Sequence, residues 1–373
     1  MKIAIVNLTG GGLSGGYRKY LRHLTPVLKS GNKGSSPIFF VHEALRDTPG
    51  LEHVEVRCWP ARDHLFGYRR LKAALRALAP DVVFIPSARW IDLGVIPTVV
   101  MVRNMEPLEV PFGENPLLEK LKNVVRAREA RNACRCATRV IAVSQHVKDF
   151  LVSRWSIPAE RVGLVYHGID RVEPVPESAK PPALPPSIQD FIFTAGSIRP
   201  ARGLEDLVGA LGRLAQQGER HPVVIAGAVD AGMAACKRKL DVMARRLGVF
   251  DRIAWAGPLS AAQMSWCYDH CRLFVMTTRA EACPNTALEA MAHGCHAVVT
   301  DKAPLPEFFE NSALYYRAGD PNSLANGIAK ALGTGVQERA RLQEAARARA
   351  AAFQWNQTAQ RTLDELLRAA RTR

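Results

Sequence analysis

The sequence predicts an α/β protein built from two doubly wound domains, each a parallel sheet covered by helices on both faces. Three observations indicate this class. At 373 residues the chain is long enough for two domains of ordinary size. Short apolar runs alternate with helical patterns along most of it. Residues 171–187 hold six prolines and no apolar period, which is typical of a linker between domains.

The first domain, residues 1–170, is predicted from apolar runs that alternate with helical patterns. Its opening run is too short for a secretory signal and leads through a glycine-rich turn into a helix. Later runs are rich in Val, Ile and Phe, as buried parallel strands are. We therefore predict strands over 2–7, 37–41, 52–58, 81–85, 98–102 and 140–143, and helices over 16–29, 68–78 and 117–139.

The second domain, residues 188–355, repeats this alternation after the proline-rich linker. A last helix within 356–373 is expected to pack back on the first domain. The apolar runs and helical periods of the second domain predict strands over 190–195, 222–226, 253–256, 273–276 and 297–300, and helices over 204–214, 237–246, 260–268 and 286–293.

Composition favours a cytoplasmic protein. Hydrophobic residues make up 47% of the chain, yet no apolar run is long enough to span a bilayer. Eight scattered cysteines without a C-x-x-C motif fit a reducing compartment. Cys267, His270 and Cys271 offer too few ligands to predict a zinc site. We expect a cytoplasmic protein without a bound metal, and peripheral attachment to the inner face of the cytoplasmic membrane stays open.

Positive charge is concentrated in the first half of the chain. The formal net charge is +15, and residues 1–187 contain 27 Lys and Arg against 17 Asp and Glu, a net +10. The predicted helix 117–139 could rest on an anionic membrane surface or could be a domain helix with a solvated face. No recognisable module or aromatic-basic interleaving predicts nucleic-acid binding. The helix carries seven basic and two acidic residues around Leu117, Leu118, Leu121, Val124 and Val125.

Two glutamates, Glu281 and Glu289, stand eight positions apart between two predicted strands. Glu281 falls in the loop after strand 273–276, and Glu289 in an early turn of helix 286–293. The start of that helix offers free backbone N–H groups and a partial positive charge, which suit a diphosphate. The pattern predicts a nucleotide-sugar site, with one carboxylate for a sugar and the other for a ribose. Alternatively, Glu289 only complements the helix dipole and Glu281 is solvated.

Three further segments are expected at the carboxyl ends of the strands. A glycine-rich turn at 10–16 would let backbone N–H groups approach a phosphate. The segment 195–203 places Arg199 and Arg202 where they could hold a diphosphate through charge-assisted hydrogen bonds. The turn at 255–260 could offer backbone contacts to a nucleobase. Because doubly wound domains bind ligands beyond the carboxyl ends of their strands, we expect these segments to line one cleft.

Together these segments resemble the GT-B glycosyltransferases of the E-x7-E type, family 4, over nearly the whole chain. The resemblance implies two Rossmann-like domains facing each other across a cleft. It also implies transfer of a sugar, with retention of configuration, from a nucleoside-diphosphate sugar to an acceptor hydroxyl, without an obligatory metal or other cofactor. The chain accordingly contains no D-x-D motif. Besides the segments above, matching motifs begin at Arg139, Val165, Ile225, Arg252, Pro306 and Gly319.

The resemblance assigns roles to individual residues. Glu289 is expected to bind the ribose hydroxyls, and Glu106 is a candidate for contact with the acceptor. The catalytic residues beside the transferring sugar are expected to be Glu281 and Asn104. The nucleobase is expected to lie against Gly257, Pro258 and Leu259. The diphosphate is expected to contact Arg199, Arg202, Gly15, Gly16, Cys283, Pro284, Asn285 and Thr286.

The chain departs from many family members at three positions. Ser197 stands where many have arginine, and Arg202 where many have lysine, so the phosphate role is divided between Arg199 and Arg202. Asn104 follows strand 98–102 where many members have a histidine close to the sugar. An amide can hydrogen-bond a hydroxyl but cannot act as a general base. If the departing phosphate oxygen takes the acceptor proton, no protein base is needed.

We therefore predict a retaining hexosyltransferase that uses a nucleotide-sugar donor and a glycan or glycolipid acceptor in polysaccharide or glycolipid synthesis. Two alternatives of the same fold stay open. An epimerase or hydrolase would convert the nucleotide sugar without an added acceptor. A non-catalytic nucleotide-sugar-binding subunit would bind the donor without turnover, and Asn104 would then mark lost chemistry.

Overall fold

The computed structural model describes residues 1–8, 15–30, 37–46, 55–60, 68–110 and 115–372. The chain divides into two compact units. The first unit consists of Met1–Met105, Val124–Gly168 and Phe353–Arg373, and the second of Glu106–Asn123 and Ile169–Ala352. Neither unit is therefore a single continuous stretch of sequence.

Each unit is built on one parallel sheet. In chain order the strands are β1 (Ile3–Val6), β2 (Ile38–His42), β3 (Glu55–Trp59), β4 (Val82–Ile85), β5 (Thr98–Val102), β6 (Arg139–Ala142), β7 (Val162–Leu164), β8 (Ile192–Ala195), β9 (Val223–Ala226), β10 (Ile253–Gly257), β11 (Leu273–Met276), β12 (Ala297–Thr300) and β13 (Leu314–Tyr316). The first sheet has the order β3-β2-β1-β4-β5-β6-β7, and the second has the order β10-β9-β8-β11-β12-β13.

Helices connect the strands. In chain order they are α1 (Gly15–Ser30), α2 (Arg69–Leu78), α3 (Glu106–Glu109), α4 (Leu117–Cys136), α5 (Gln145–Trp155), α6 (Leu204–Gln216), α7 (Ala234–Arg246), α8 (Ala261–His270), α9 (Asn285–Ala292), α10 (Leu305–Phe309), α11 (Pro321–Leu332), α12 (Val336–Ala350) and α13 (Trp355–Ala370).

The two sheets confirm the predicted pair of doubly wound α/β domains. Every strand pairing in both sheets is parallel. Strands β4, β5, β11 and β12 are buried along their whole length, as expected for parallel strands covered on both faces. The strand order reverses between β1 and β4 in the first sheet and between β8 and β11 in the second. Such reversal points are where doubly wound sheets bind ligands.

The last helix, α13, belongs to the first unit although it is the last element of the chain. It packs against α1 and the strands β4, β5 and β6. The hydroxyl groups of Tyr20 and Thr362 lie 2.8 Å apart, and the Arg139 guanidinium donates to the Glu365 carboxylate at 2.5 Å. Glu365 also lies against Gly163, where any side chain would overlap its carboxylate. These buried contacts fix the helix on the sheet.

The basic helix α4 differs from its prediction in two ways. It ends at Cys136, because Arg139 already begins β6. The predicted apolar face is mostly not buried: Leu117, Leu118, Leu121 and Val125 are 75, 63, 58 and 62% exposed. The buried side of the helix is instead formed by small or polar residues, among them Asn123, Ala130, Ala133 and Cys134.

The sequence patterns assign no regular element to residues 301–355, where the structure has α10, β13, α11 and α12. The interior positions of α12 are mainly alanine, including Ala346 and Ala350, so its apolar period is weak. Strand β13 is only partly buried and three residues long. Among the residues that the structure describes, no helix is both long and apolar enough to cross a membrane.

Candidate active site

The candidate site of the second unit is formed by the loops that follow β8 and β11. These two strands are neighbours in the sheet, at the point where the strand order reverses. Arg199 and Arg202 lie in the first loop, and Glu281 lies in the second. Parallel strands end at the same edge of their sheet, so the topology brings these charged residues together from positions about 80 residues apart.

The loop after β8 depends on two glycines. Gly196 has φ +142° and faces the Arg202 guanidinium, and a Cβ at this position would collide with it. Gly203 has φ +60° and lies against the Thr277 carbonyl and Arg279. Because a side chain is excluded at both positions, the backbone approaches its neighbours closely and Arg202 turns back over the end of β8.

Hydrogen bonds join the two loops directly. The Thr277 hydroxyl donates to the Arg202 carbonyl at 2.7 Å, and the Thr278 hydroxyl donates to the Ala201 carbonyl at 3.2 Å. The Arg279 backbone N–H also donates to the Ala201 carbonyl, at 2.7 Å. These hydrogen bonds fix the two loops against each other, which is a property of preorganised sites.

Arg202 and Glu281 form an ion pair across the joined loops. The Thr278 hydroxyl also lies 3.3 Å from the Glu281 carboxylate. The arginine side chain is 25% exposed and the glutamate side chain 14% exposed, so the pair is shielded from most solvent but still reachable by a ligand. A positively and a negatively charged side chain are therefore in contact at the carboxyl edge of the sheet.

Arg199 pairs with two carboxylates. Its guanidinium lies 2.8 Å from Glu106 and 2.8 Å from Asp230. Burial opposes the charge of Arg199, but hydrogen bonds and attraction from Glu106 and then Asp230 raise its pKa above the ordinary value. A diphosphate at Arg199 would have to compete with these carboxylates. No local sequence pattern predicts this pairing, because Glu106 and Asp230 lie 93 and 31 positions from Arg199 in the chain.

A buried carboxylate, Asp206, anchors the loop that carries Glu281. Asp206 is 2% exposed and accepts two hydrogen bonds from the Arg279 guanidinium, at 2.7 and 2.8 Å. It also accepts from the Tyr316 hydroxyl at 3.0 Å and from the Gly319 N–H at 2.9 Å. Burial opposes the charge of Arg279, yet Asp206 raises the pKa of this guanidinium. Arg279 and Asp206 were not among the predicted site residues.

Glu289 lies in the second turn of α9. The hydroxyl of Tyr268 on α8 donates to the Glu289 carboxylate at 3.1 Å. Tyr268 is buried, and burial, followed by the charge of Glu289, raises the pKa of its phenol well above the ordinary value. The phenol therefore remains a hydrogen-bond donor to Glu289. Sequence reasoning missed Tyr268, which carries no motif of its own.

Four residues between Glu281 and Glu289 are predicted to contact the diphosphate, and they lie at the start of α9. Cys283 is buried, Pro284 is the N-cap residue, and Asn285 and Thr286 begin the helix. Pro284 makes no side-chain capping hydrogen bond, and the first turn contains no acidic residue. The partial positive charge of this helix end is therefore not neutralised by its own first turn.

The predicted nucleobase turn follows β10. Gly257 has φ +67°, and its carbonyl accepts a hydrogen bond from the Gly227 N–H at 2.7 Å. Pro258 is exposed and Leu259 is partly buried. Ser260 caps α8 through a reciprocal capping box with Gln263. The turn is therefore fixed at both ends and leaves Pro258 accessible.

The predicted residues of the first unit lie at the carboxyl edge of its own sheet. Gly15 and Gly16 are the first residues of α1, and residues 10–14 of the glycine-rich turn lie outside the described residues. Asn104 is exposed, two positions after β5 ends. Within the described ranges, no group of three or more His, Cys, Asp or Glu side chains could hold a metal ion.

Family comparisons cover both halves of the chain. The model of Glycosyltransferase Family 4 matches residues 17–173, and the model of Glycosyl transferases group 1 matches residues 177–349. D-inositol 3-phosphate glycosyltransferase of Streptomyces bingchenggensis is 26% identical over 329 residues, which are 83% of this chain and 68% of the relative. The enzyme of the same name from Stackebrandtia nassauensis is 28% identical over 278 residues, which are 68% of this chain and 60% of the relative.

Solved structures resemble the chain over almost its whole length. Anabaena HepE in complex with UDP superposes with a TM-score of 0.76 at 20% identity, covering 99% of this chain and 100% of the other. Sucrose-phosphate synthase from Thermosynechococcus elongatus superposes with a TM-score of 0.75 at 18% identity, covering both chains fully. At these identities the likeness concerns the fold. The two family models together match most of the chain, and they show that it belongs to the glycosyltransferases of group 1 and family 4, which have this GT-B fold.

Proposed function

We propose that the chain is a retaining glycosyltransferase that moves a sugar from a nucleoside-diphosphate sugar to an acceptor hydroxyl. The observation that carries this proposal is the ion pair of Arg202 and Glu281 on two joined loops at the strand reversal. A cation there suits a diphosphate leaving group, and a carboxylate beside it suits positive charge at the anomeric carbon. In transfer with retention, the acceptor attacks the same face of the sugar from which the diphosphate departs.

In the proposed reaction, the bond between the anomeric carbon and the diphosphate oxygen breaks, and a bond from the acceptor oxygen to the same carbon forms. The acceptor proton goes to the departing phosphate oxygen, so no protein base is required. Arg202 stabilises the charge that develops on the leaving group, and Glu281 steadies the cationic sugar. Asn104 hydrogen-bonds the sugar or the acceptor, since an amide can donate and accept but cannot remove a proton.

Recognition of the donor is proposed to centre on α9 and its surroundings. Glu289, held by Tyr268, would accept hydrogen bonds from the ribose hydroxyls. The uncapped start of α9 would receive the diphosphate. The turn at Gly257 would contact the base. Anabaena HepE was solved with UDP and with UDP-glucose, which supports a donor of this class.

The leaving diphosphate is proposed to be neutralised by arginines and helix amides, without an obligatory metal. Arg202 lies on the loop after β8, and Arg199 lies on the same loop. A guanidinium can take over the electrostatic role that a divalent cation has in other transferases. Turnover that persists in excess EDTA would support this part of the proposal, and loss of turnover restored by Mg²⁺ would contradict it.

Two substitutions test the assignment of donor binding and catalysis. Glu289→Ala should weaken nucleotide-sugar binding by about tenfold or more, because hydrogen bonds to a carboxylate are charge-assisted. Glu281→Gln should lower kcat by about 10²–10³-fold with little effect on donor affinity. Glu338→Gln, at an exposed carboxylate of α12, is the matched control and should change neither quantity.

Isothermal titration with the donor and a radiolabel-transfer assay measure both quantities. Unchanged kinetics in both glutamate variants would contradict the proposed site. Conversion of the donor without an acceptor would instead favour an epimerase or hydrolase. Donor binding without turnover on any acceptor would favour a non-catalytic subunit.

We also propose that the acceptor is a glycan or glycolipid presented at an anionic membrane surface, with α4 as the contact. The four exposed apolar residues of α4, Leu117, Leu118, Leu121 and Val125, lie in the first half of the helix. The exposed side of its second half carries Arg128, Arg131 and Arg135. Apolar side chains can enter the lipid interface while arginines contact acidic headgroups, each adding about 1 kcal/mol.

Vesicle sedimentation tests this membrane contact. Leu118→Gln combined with Leu121→Gln should reduce binding to phosphatidylglycerol vesicles several-fold, and all variants should bind phosphatidylcholine vesicles weakly. Val242→Gln is the matched control, because Val242 is 64% exposed on α7, a helix of the second unit. Equal binding of the double variant and the wild type would leave α4 as a solvated domain helix.

A further inference from the structure

Two cysteines of the second unit, Cys271 and Cys295, have their sulfur atoms 4.0 Å apart. Cys271 is the C-cap residue of α8 and is partly buried, whereas Cys295 follows α9 and is 5% exposed. Cys271 lies two positions before β11, and Cys295 lies two positions before β12. Since β11 and β12 pair in parallel, with Phe274 opposite Ala297, the two thiols lie side by side at the edge where these strands begin.

Other contacts hold the two cysteine-bearing segments together. The Nδ1 atom of His293 lies 2.7 Å from a carboxylate oxygen of Asp269. The His293 ring also stacks on the ring of Tyr268, with the two centroids 5.2 Å apart. On the other side, the Arg347 guanidinium lies against Gly294, where any side chain would overlap it. The short distance between the two sulfur atoms therefore follows from the packing of both segments and does not depend on the rotamer of one exposed side chain.

The two thiols share one hydrogen-bond acceptor, the carbonyl oxygen of Tyr268. Each Sγ lies 3.4 Å from this oxygen. The last carbonyl groups of a helix have no donor within the helix. The Arg272 N–H, four residues after Tyr268, donates to the Phe191 carbonyl, so the thiols supply the donors at this end of α8. The hydroxyl of the same tyrosine donates to Glu289, so a single residue connects the thiol pair with that carboxylate.

A pair of neighbouring thiols can bind a metal ion or form a disulfide. A structural zinc site takes four ligands, and the pair supplies two. In the described part of the chain, no group of three or more His, Cys, Asp or Glu side chains could hold a metal ion. The sulfur atoms of a disulfide are about 2.05 Å apart, so each sulfur of this pair has to move by about 1 Å. The geometry therefore favours a disulfide.

The unequal burial of the two thiols gives them different roles. Cys271 is partly exposed, so a small oxidant can reach its sulfur. Cys295 is buried, and burial, followed by the neighbouring Cys271, raises the pKa of its thiol well above the ordinary value. Because the thiolate is the reactive form, Cys295 is protected from direct oxidation. An accessible thiol beside a second thiol that resolves its oxidised form is the usual arrangement of a redox-sensitive cysteine pair.

We propose that Cys271 and Cys295 are a modification site at which a hydroperoxide produces an intrachain disulfide. The Cys271 thiolate attacks the terminal peroxide oxygen, the O–O bond breaks, and the alkoxide leaves and takes up the proton that Cys271 released. Cys271 is then a sulfenic acid. The Cys295 sulfur attacks the Cys271 sulfur, its proton passes to the departing hydroxyl, and water leaves. Two thiols and one hydroperoxide thus give a disulfide, an alcohol and water.

The disulfide should also weaken nucleotide binding, a consequence that rests on the proposed function. Neither sulfur of a disulfide carries a proton, so the Tyr268 carbonyl loses both donors. Closing the bond also moves the last turn of α8, which carries Tyr268. The contact of the Tyr268 hydroxyl with Glu289 should then loosen. The Kd of the bound nucleotide should rise about three- to tenfold, the effect of losing one hydrogen bond.

Peptide mass spectrometry tests the modification site. The full chain is reduced, treated with a small molar excess of hydrogen peroxide, alkylated and digested with trypsin. The oxidised wild type should give a cross-linked pair of tryptic peptides, residues 253–272 and 280–302, which dithiothreitol separates. Calorimetry then measures the Kd of reduced and oxidised protein for whichever of UDP, GDP and ADP raises the melting temperature of the reduced protein most.

Single variants locate the cross-link, because each of the two peptides contains a second cysteine, Cys267 or Cys283. Cys271→Ala and Cys295→Ala should each abolish the cross-link. Cys267→Ala is the matched control, because Cys267 lies one turn before Cys271 on the same helix and in the same peptide, and it should keep the cross-link. A cooperative thermal transition shows that each variant is folded, and a serine variant replaces any alanine variant that is not.

The outcomes separate this inference from the proposed function. Absence of the cross-link in oxidised wild type, or its persistence in Cys271→Ala, would overturn the modification site and leave the glycosyltransferase proposal standing. An equal Kd before and after complete cross-linking would overturn the connection to nucleotide binding, as would an equal loss of affinity when Cys271→Ala is oxidised. If the reduced protein binds no nucleotide, the proposed donor chemistry fails, and the cross-link alone decides on the modification site.

Discussion

Replacing Asp206 with asparagine should destabilise the second unit and loosen the loop that carries Glu281. The substitution keeps the shape of the side chain but removes the charge that faces the Arg279 guanidinium, with which Asp206 forms two hydrogen bonds. Breaking a buried ion pair from one side costs about 3–5 kcal/mol. Since the Arg279 side chain is 26% exposed and can gain water, we expect about 2–4 kcal/mol.

Thermal unfolding followed by circular dichroism measures this effect. For a domain of this size about 1 kcal/mol corresponds to roughly 2–4 °C, so the melting temperature should fall by about 5–15 °C. Glu338→Gln is the control, because Glu338 forms the same two-bond pair with Arg341 on the surface of α12. Its melting temperature should stay at the wild-type value. Equal shifts for the two variants would refute the argument, which attributes the effect to burial.

Two further predictions concern buried rings of the second unit. Tyr268→Phe removes the hydroxyl that donates to Glu289, so it should weaken nucleotide binding about five- to tenfold and leave kcat unchanged. Tyr315→Phe is the control: it removes a more exposed hydroxyl and should bind the nucleotide as the wild type does. Isothermal titration calorimetry measures both affinities. His296→Gln should flatten the dependence of the melting temperature on pH between 5 and 7. Burial and nearby arginines lower the pKa of His296, so the unfolded chain takes up this proton more readily and folding is penalised in acid. That penalty disappears as the pH rises past about 6.5. If the melting temperature of the variant depends on pH as that of the wild type does, the penalty does not arise from His296.

The sequence predicted the strands best where burial is complete. The predicted strands 98–102, 273–276 and 297–300 coincide with β5, β11 and β12. In an α/β protein, a short unbroken apolar run is typical of a parallel strand that is covered on both faces. Helices with alanine-rich interiors such as α12 gave too weak a period to be predicted. The exposed leucines of α4 were misleading for the opposite reason, since a strong apolar pattern there does not face a core.

The candidate site was predictable in its loops and not in its pairings. Glycines, arginines and glutamates after two strands indicated a diphosphate site, because the strand-loop-helix geometry is local. The pairing of Arg199 with Glu106 joins residues 93 positions apart. The bond from Tyr268 to Glu289 depends on how two helices pack. Such contacts follow from tertiary packing, which no local pattern encodes.

The place of α13 has a consequence for how the chain is made. The first unit lacks its last helix until residues 353–370 leave the ribosome, although its strands β1 to β7 are complete by residue 164. At roughly 5–20 residues per second, synthesis of the intervening residues takes roughly 10–40 s. During that interval the second unit is synthesised, while the positions that Leu363 and Leu366 occupy in the core of the first unit stay unfilled. The first unit can therefore complete its core only after the whole of the second unit has been synthesised.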